Sequence, residues 1–276
     1  MKLKYLGTAA AEGVPALFCD CEVCQKSMKL GGKNIRTRSQ AIIDNTLLID
    51  FPPDTYWHFI QNNLPMDKIE HCIVTHSHQD HLYEPDIFMR KKGFANFKEP
   101  HPPLNFYTGK DGFKKISKVI NDNFMTEAKA HLVNSGDVFK VGDYTVTALT
   151  ASHDPKSTPL IYIVEKDGKS VFYSNDTSDY PDSSWKILKK YGKPINLISL
   201  DCTEGDKHIE YVGHMNLERC IAIREKLKSV GVADKNTVFV LHHFSHNGGN
   251  AVYEDFSKIA AEHNFLVSYD GMEIEI

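Results

Sequence analysis

The amino-acid sequence predicts one layered domain that mixes β-strands with α-helices, of the α/β or α+β class. Its 276 residues suit one or two domains, and no convincing linker divides them. Hydrophobic residues make up 41% and charged residues 25% of the chain, a balance that allows a full core. Strand patterns and helix patterns alternate from one end to the other, which favours a single domain over residues 1–276.

Short apolar runs rich in β-branched residues predict the strands. The first strand is indicated by the alternation in Lys2-Leu3-Lys4-Tyr5-Leu6. Turn residues between paired runs predict two hairpins, namely Ser39–Ile43 with Thr46–Asp50, and Ile161–Glu165 with Ser170–Ser174. Single buried strands are expected at His71–Thr75, Asn196–Leu200 and Thr237–Leu241.

Four helices are predicted between these strands. Asn216 is the expected N-cap of a helix that runs to about Ser229. Its inward residues are predicted to be Leu217, Cys220, Ile221 and Leu227. The other helices are expected at Asp111–Asn121, Trp185–Tyr191 and Tyr253–His263, the last with Phe256 and Ile259 on one face.

Charge and cysteine content narrow the class of protein. The 32 Lys and Arg against 36 Asp and Glu give a net charge of -4, which argues against a protein that coats nucleic acid or anionic membrane. No apolar run approaches the ~20 residues of a membrane span, and the N-terminal apolar stretch is too short for a signal peptide. Six cysteines fit a cytoplasmic protein with reduced thiols, in which clustered cysteines favour metal binding over disulfides.

The strongest motif is Thr75-His76-Ser77-His78-Gln79-Asp80-His81, directly after a predicted strand. Four potential ligands lie within six positions, and they can converge where the loop turns back on itself. Imidazoles and a carboxylate together suit Zn, Mn or Fe. Further candidates follow other predicted strands: His153, Asp176 and His243.

A second motif, Cys19-Asp20-Cys21-Glu22-Val23-Cys24, places three thiols close together. They are poorly spaced to pair with one another but can surround a soft cation. Zinc prefers four ligands, so a fourth must come from elsewhere. His246, three residues after His243, is the candidate, and strand alternation leaves His242 as a structural residue.

His-x-His-x-Asp-His followed by a later His, Asp and His resembles the metallo-β-lactamase superfamily, whose fold is an αββα sandwich with a two-metal site. The resemblance implies one metal on His76, His78 and His153, and a second on Asp80, His81 and His243. Asp176 would bridge them beside a shared hydroxide, and Asp80 would thereby belong to the catalytic residues. Asp50, at a strand end, is a candidate for orienting a ligand imidazole, with a simple turn carboxylate as the alternative.

The Gly7 and Gly13 segments, the cysteine motif and Asp270-Gly271-Met272-Glu273-Ile274 are together similar to the PhnP-type branch, the phosphoribosyl 1,2-cyclic phosphodiesterases. This resemblance implies a structural zinc on Cys19, Cys21, Cys24 and His246, and often a homodimer. Gly213-His214-Met215-Asn216-Leu217 matches a segment whose histidine is a proposed general acid, here His214.

The chain departs from that branch at Phe51-Pro52-Pro53-Asp54 and at Ile161, both expected near the substrate entrance. Arg36, Arg38, Lys91 and Lys92 are solvated charges by default, with phosphate contact as the alternative. Cys72, Cys202 and Cys220 are expected to be buried and inert. The sequence does not decide whether Asp201 faces the site.

The leading functional hypothesis is a dinuclear metallohydrolase that acts on a small cyclic phosphodiester. It would hold two divalent catalytic metals (Mn, Zn or Fe) and one structural zinc. No membrane partner is expected. A lactonase or thioesterase would use the same metals on a carbonyl group. An RNA-processing nuclease is disfavoured by the charge of -4. A flavodiiron redox protein is disfavoured by His78, where an acidic residue is typical. A non-catalytic scaffold protein is disfavoured because every expected ligand is present.

Overall fold

The structure, a computed structural model, describes residues 1–98, 100–208, 213–249 and 252–276. The strands are β1 (Lys2–Gly7), β2 (Gln40–Ile43), β3 (Leu47–Ile49), β4 (His71–Val74), β5 (Leu104–Thr108), β6 (Ala128–Leu132), β7 (Val138–Val141), β8 (Tyr144–Thr150), β9 (Leu160–Lys166), β10 (Lys169–Ser174), β11 (Leu197–Asp201), β12 (Val238–His242), β13 (Leu266–Val267) and β14 (Glu273–Glu275). The α-helices are α1 (Glu22–Leu30), α2 (Thr55–Asn62), α3 (Lys110–Asp122), α4 (Asp182–Tyr191), α5 (Leu217–Ser229) and α6 (Tyr253–Glu262).

The strands form two mixed seven-stranded sheets. The first has the order β14-β1-β2-β3-β4-β5-β6, and the second has the order β13-β12-β11-β10-β9-β8-β7. In each sheet, one group of neighbouring strands pairs antiparallel and the other group pairs parallel. Each sheet therefore has one group of neighbouring parallel strands that end at the same edge.

Three layers of apolar contact hold these elements together. Tyr5 and Ile73 of the first sheet pack against Tyr162 and Val240 of the second, which fills the space between the sheets. The outer face of the second sheet packs against α4, α5 and α6, and the outer face of the first packs against α3. This arrangement is the αββα sandwich, and the fold is α+β in a single domain as the sequence predicts.

Both predicted hairpins are confirmed as β2–β3 and β9–β10, and the three single strands are confirmed as β4, β11 and β12. All four predicted helices are present. Asn216 caps α5, since its side-chain Oδ1 accepts a hydrogen bond from the Arg219 backbone N–H. Leu217, Cys220 and Leu227 are buried in α5 as predicted, and Ile221 is partly buried against the same core. Ile223 is a further buried residue that was not predicted.

No helix among the described residues is both long enough and apolar enough to span a bilayer. The predicted cytoplasmic location is not tested by this finding.

Candidate metal centre

The candidate site lies where strands of both sheets end. Asp50 follows β3 and His76 follows β4 in the first sheet, while Asp176 follows β10 and His243 follows β12 in the second. Parallel strands place their carboxyl ends at one edge, so residues distant in sequence meet there. The backbone is in the left-handed region at Asp50, Asp176 and His243, with φ of 69°, 48° and 67°. Such conformations are uncommon for residues other than glycine and cluster at functional sites.

Three histidines form a first cluster, defined as His76, His78 and His153. Nδ1 of His78 lies 3.0 Å from Nε2 of His76 and 3.2 Å from Nε2 of His153. A tetrahedral ion with metal–nitrogen distances of ~2.1 Å would separate its ligand nitrogens by roughly 3.4 Å, so the spacing fits one divalent ion.

A second cluster, defined as Asp80, His81 and His243, lies beside the first. Nε2 of His81 is 3.2 Å from Asp80 Oδ2 and 3.2 Å from Nε2 of His243. Asp176 lies between the clusters. Its Oδ2 is 2.9 Å from His81 Nε2, and its Oδ1 is 3.7 Å from His153 Nε2. The seven predicted residues are thus brought together in the predicted grouping.

The donor atoms of the two clusters fit divalent cations. The buried Oδ2 of Asp176 receives no hydrogen bond from the described residues, although two imidazole nitrogens lie within 3.0 Å of it. Burial holds the pKa of His76 well below the ordinary value, so this ring is neutral and presents a lone pair. Ring nitrogens that converge on a buried carboxylate oxygen fit divalent cations.

Each candidate ligand histidine directs one ring nitrogen into a cluster. Its other ring nitrogen contacts a neighbouring polar group. Nδ1 of His81 donates to Asp50 Oδ2 at 2.7 Å, which places Asp50 as the orienting partner that the sequence offered as one alternative. His243 Nδ1 lies 2.8 Å from Thr203 Oγ1, and His78 Nε2 lies 3.3 Å from Asp154 Oδ2. Such partners select the tautomer and fix the ring orientation of a ligand histidine.

Electrostatics also favour positive charge here. Burial opposes protonation of His81, but the carboxylates of Asp176, Asp80 and Asp50 together raise its pKa well above the ordinary value. Despite burial, the neighbouring His243 and His81 hold the pKa of Asp176 well below its usual range. The centre therefore combines ionised carboxylates with imidazoles at a buried position.

His214 lies next to the clusters, with its ring stacked on that of His243 at a centroid distance of 5.6 Å. Its Nδ1 donates to Asp201 Oδ2 at 2.9 Å. Burial would lower the pKa of His214, but the Asp201 carboxylate outweighs burial and raises it to about 9. Asp201, which the sequence left undecided, is buried and also accepts from the backbone N–H groups of Thr203 and Met215 at Oδ1.

The cysteine residues form a separate site, defined as Cys19, Cys21, Cys24 and His246, whose ligand atoms all lie within 4.8 Å of one another. The sulfurs of Cys19 and Cys21 are each 3.5 Å from His246 Nδ1. A zinc ion with bonds of ~2.1 Å to nitrogen and ~2.3 Å to sulfur requires a separation of about 3.6 Å, so these residues fit the metal. A hydrogen bond from His246 lowers the pKa of Cys21 to about 6, which favours the thiolate.

Several other sequence expectations are corrected or confirmed. Arg36 is not a solvated charge: it is buried, donates to Thr8 and to the Ser268 carbonyl, and packs on Phe244. Ile161 is fully buried in the core instead of near a substrate entrance. Cys72, Cys202, Cys220 and His242 are buried, as expected.

Two of the basic residues proposed as phosphate contacts have different surroundings. Lys91 donates to the Asn123 carbonyl, whereas Arg38 lies on a cleft beside His78. Lys115, which donates to the Ser77 carbonyl in the His76–His81 loop, was missed because its helix gave no chemical signal in the sequence.

A comparison with protein-family models matches residues 45–244 to the beta-lactamase superfamily domain. This segment includes the His76–His81 loop and ends directly after His243. A comparison with curated protein sequences gave no significant match.

Solved structures with similar folds cover the whole chain. A diphosphatase from the PhnP family is 22% identical over 100% of this chain and 96% of that chain, with a TM-score of 0.72. Zinc-bound PqqB from Methylobacterium extorquens is 18% identical over 100% of both chains, with a TM-score of 0.77. Human tRNase Z, short form, is 16% identical over 100% of this chain and 99% of that chain, with a TM-score of 0.66.

At these identities the likeness to solved structures shows the fold, and the family assignment comes from the match over residues 45–244. The chain therefore belongs to the beta-lactamase superfamily and has the metallo-β-lactamase fold.

Proposed function

We propose that this chain is a metal-dependent phosphodiesterase that opens a small cyclic phosphodiester, as in the PhnP-type branch that its sequence resembles. One observation carries the proposal: His214, whose pKa is raised to about 9 by Asp201, lies 4.0 Å from the Asp176 carboxylate at the junction of the two clusters. A cationic acid at that position suits a reaction that releases an alkoxide.

The first and second clusters would each hold one divalent ion, Mn, Zn or Fe, with Asp176 shared between them. When bound, two such ions lower the pKa of water and act as Lewis acids toward phosphoryl oxygens. Asp80, in the second cluster, would be one of the metal ligands and so take part in catalysis. The cysteine site would hold a structural zinc that joins the N-terminal segment to the loop after β12.

The chain's own residues handle the proton. Nδ1 of His214 is engaged by Asp201 Oδ2, so the transferable proton is assigned to Nε2. Water would supply the oxygen that bonds to phosphorus, one ring P–O bond would break, and Nε2 would donate its proton to the leaving oxygen, which gives the ring-opened phosphomonoester. Asp201 stabilises the imidazolium before transfer, and its two backbone hydrogen bonds hold the carboxylate in position.

The test is hydrolysis by Mn-loaded protein of a five-membered cyclic phosphodiester, a linear RNA diester and a lactone. We expect preference for the cyclic ester, and loss of activity in Asp176→Ala, whose carboxylate joins both clusters. Activity only on the lactone would show that the enzyme acts on carbonyl compounds, as a lactonase or thioesterase does. Activity only on the linear ester would favour the nuclease alternative.

A second measurement tests the acid. His214→Ala should slow esters with poor leaving groups much more than nitrophenyl esters, because a nitrophenolate departs without protonation. His263→Ala, at the end of α6 and outside both clusters, is the matched control. Equal slowing of both ester types would remove the acid role from His214.

A further inference from the structure

A chain of side-chain hydrogen bonds leads from the C-terminal segment to the loop that carries Asp50. Gln40, the first residue of β2, is fully buried, and its Nε2 donates to the Asp50 carbonyl at 3.0 Å and to Thr55 Oγ1 at 3.1 Å. Asp50 has a left-handed backbone with φ of 69°, and its carboxylate meets His81. Gln40 therefore holds the strained backbone that directs Asp50 at the second cluster.

The next member of this chain is His58, a buried residue of α2. Its Nδ1 lies 2.6 Å from Gln40 Oε1. Because Gln40 uses its NH₂ group on the Asp50 carbonyl, Oε1 faces His58, and this oxygen can only accept. The hydrogen-bond network therefore assigns a proton to Nδ1 of His58.

Thr37 joins His58 to Asp270. Its Oγ1 lies 2.6 Å from His58 Nε2 and 2.6 Å from Asp270 Oδ2, and its backbone N–H donates to the same Oδ2 at 2.7 Å. A hydroxyl group has one hydrogen, so it can donate to only one of its two neighbours. The other neighbour must supply a proton, from either His58 Nε2 or Asp270 Oδ2. Both contacts are complete only when the pair carries this one proton.

Burial favours the neutral arrangement of the pair. It lowers the pKa of His58 to about 4, and it raises the pKa of Asp270 to about 6 although Thr37 and Thr8 donate to the carboxyl group. Between these values the imidazole is neutral and the carboxyl group is protonated, which gives each contact one hydrogen. Above about pH 6 the proton leaves, and one of the two contacts then joins two acceptors.

The neighbouring charges act on the pair in opposite directions. Arg36 lowers the pKa of Asp270, and Asp54, which pairs with Arg38, raises the pKa of His58. Burial outweighs both effects. The ionisable groups of α6 beside Arg36 are Tyr253 and Glu254.

Gly7, at the end of β1, lets these side chains meet. A Cβ at this position would lie 2.8 Å from His58 Cε1, 2.8 Å from Thr37 Oγ1 and 2.0 Å from the Arg38 carbonyl oxygen. Only a residue without a side chain fits there, so the backbone of β1 presses directly on the imidazole and the hydroxyl. The fold thus imposes the short contacts of the chain.

We infer that His58 and Asp270 share one proton through the Thr37 hydroxyl. The chain that this proton completes positions Asp50, and through Asp50 the ring of His81. Its members are positioning residues, since they touch neither cluster. The inference rests on the proposed function for the metal at the second cluster, whereas the shared proton does not depend on a metal.

The proton is tested in metal-free protein by an NMR titration of the ¹⁵N resonance of His58 Nε2. This resonance should shift near pH 6, because the Thr37 hydroxyl turns from Nε2 to the carboxylate when Asp270 loses its proton. Thr37→Val and Asp270→Asn should lose the step, and Thr37→Ser should keep it. Thr126→Val, in an exposed loop, is the control and should also keep it. No step in the wild type, or a step that persists in Thr37→Val, would overturn the shared proton.

The positioning role is tested by the affinity for Mn²⁺, measured at about pH 6 in competition with a chelator. Mn²⁺ prefers nitrogen and oxygen ligands, so the cysteine site does not interfere. Thr37→Val should weaken the binding of one Mn²⁺ roughly three- to tenfold, at or below the range for a direct partner of a ligand histidine. Thr37→Ser should restore the affinity. In an Asp50→Asn background, Thr37→Val should have no further effect, because both changes act on the same contact.

Three outcomes would contradict this role. Additive effects of Thr37→Val and Asp50→Asn would show that the chain does not act through Asp50. An unchanged Mn²⁺ affinity with a lower melting temperature would leave Thr37 as a stabilising residue alone. No Mn²⁺ binding by the wild type would refute the metal centre of the proposed function and the positioning role with it, while the ¹⁵N titration would still decide the shared proton.

Discussion

The substitution Asp201→Asn removes one charge from the site with little change in shape. Oδ1 of Asp201 accepts the backbone N–H groups of Thr203 and Met215, at 3.0 and 2.9 Å, and an asparagine oxygen can accept both. Oδ2 faces His214 Nδ1 at 2.9 Å. In the variant, the amide NH₂ can instead donate to a neutral His214, so the site keeps its hydrogen bonds and loses the carboxylate.

The expected effect on His214 is large. Its pKa is raised to about 9 from the ordinary 6.5, against burial, chiefly by Asp201. Without that carboxylate the pKa should fall toward 6.5 or below, a difference of about 2.5 pH units. At 1.36 kcal/mol per unit this corresponds to about 3 kcal/mol. Because the folded-state pKa lies above the unfolded value, this stabilisation is fully present below pH 6.5 and is lost as the pH rises through about 9.

Two measurements on metal-free protein check this reasoning. An NMR titration should locate the His214 pKa near 9 in the wild type and near or below 6.5 in Asp201→Asn. Urea unfolding should show a larger loss of stability in the variant at about pH 6 than at about pH 10. Asp143→Asn, an 84% exposed carboxylate, is the control and should change neither result. An unchanged His214 pKa in Asp201→Asn would refute the assignment of Asp201 as its stabilising partner.

Three further outcomes are expected. Asp154→Ala should weaken metal binding at the first cluster roughly tenfold, because His78 Nε2 loses its orienting partner at 3.3 Å. A chelator-competition titration measures this affinity. An unchanged affinity would show that Asp154 does not support the site. Cys21→Ser should lose one zinc by metal analysis and lower the melting temperature, because a structural zinc contributes folding free energy; a retained zinc and melting temperature would contradict the cysteine site. Gly205→Ala should lower the free energy of unfolding, measured in urea, by roughly 2–4 kcal/mol, since its Cβ would lie 1.9 Å from the Gly248 carbonyl oxygen. Gly136→Ala is also at positive φ but in open space, and it should lower the free energy of unfolding less.

Local patterns carry most of what could be predicted about the fold. Hairpins such as β2–β3 depend on adjacent apolar runs and a short turn, and α5 carries its own N-cap in Asn216. Strands such as β5 and β6 were not predicted, since their burial depends on α3 packing across them. The inward face of α5 was predicted except for Ile223, which is buried against the second sheet beside the partly buried Ile221.

The sequence by itself determined that the candidate ligands within each short motif lie close together. His76, His78, Asp80 and His81 lie in one short loop, and three thiols lie within six residues, so their proximity follows from chain connectivity. Their roles as metal ligands stay a prediction that metal analysis can test.

Only the tertiary structure decided which groups support that chemistry. Asp50 meets His81 across 31 positions, and Lys115 meets Ser77 across 38, through contacts that exist only when strand ends and helices pack together. Arg36 illustrates the same limit, since its burial under Phe244 reverses the default expectation for a charged residue. The physical reason is that burial and long-range hydrogen bonds depend on the neighbours that packing supplies, while a sequence pattern records only neighbours along the chain.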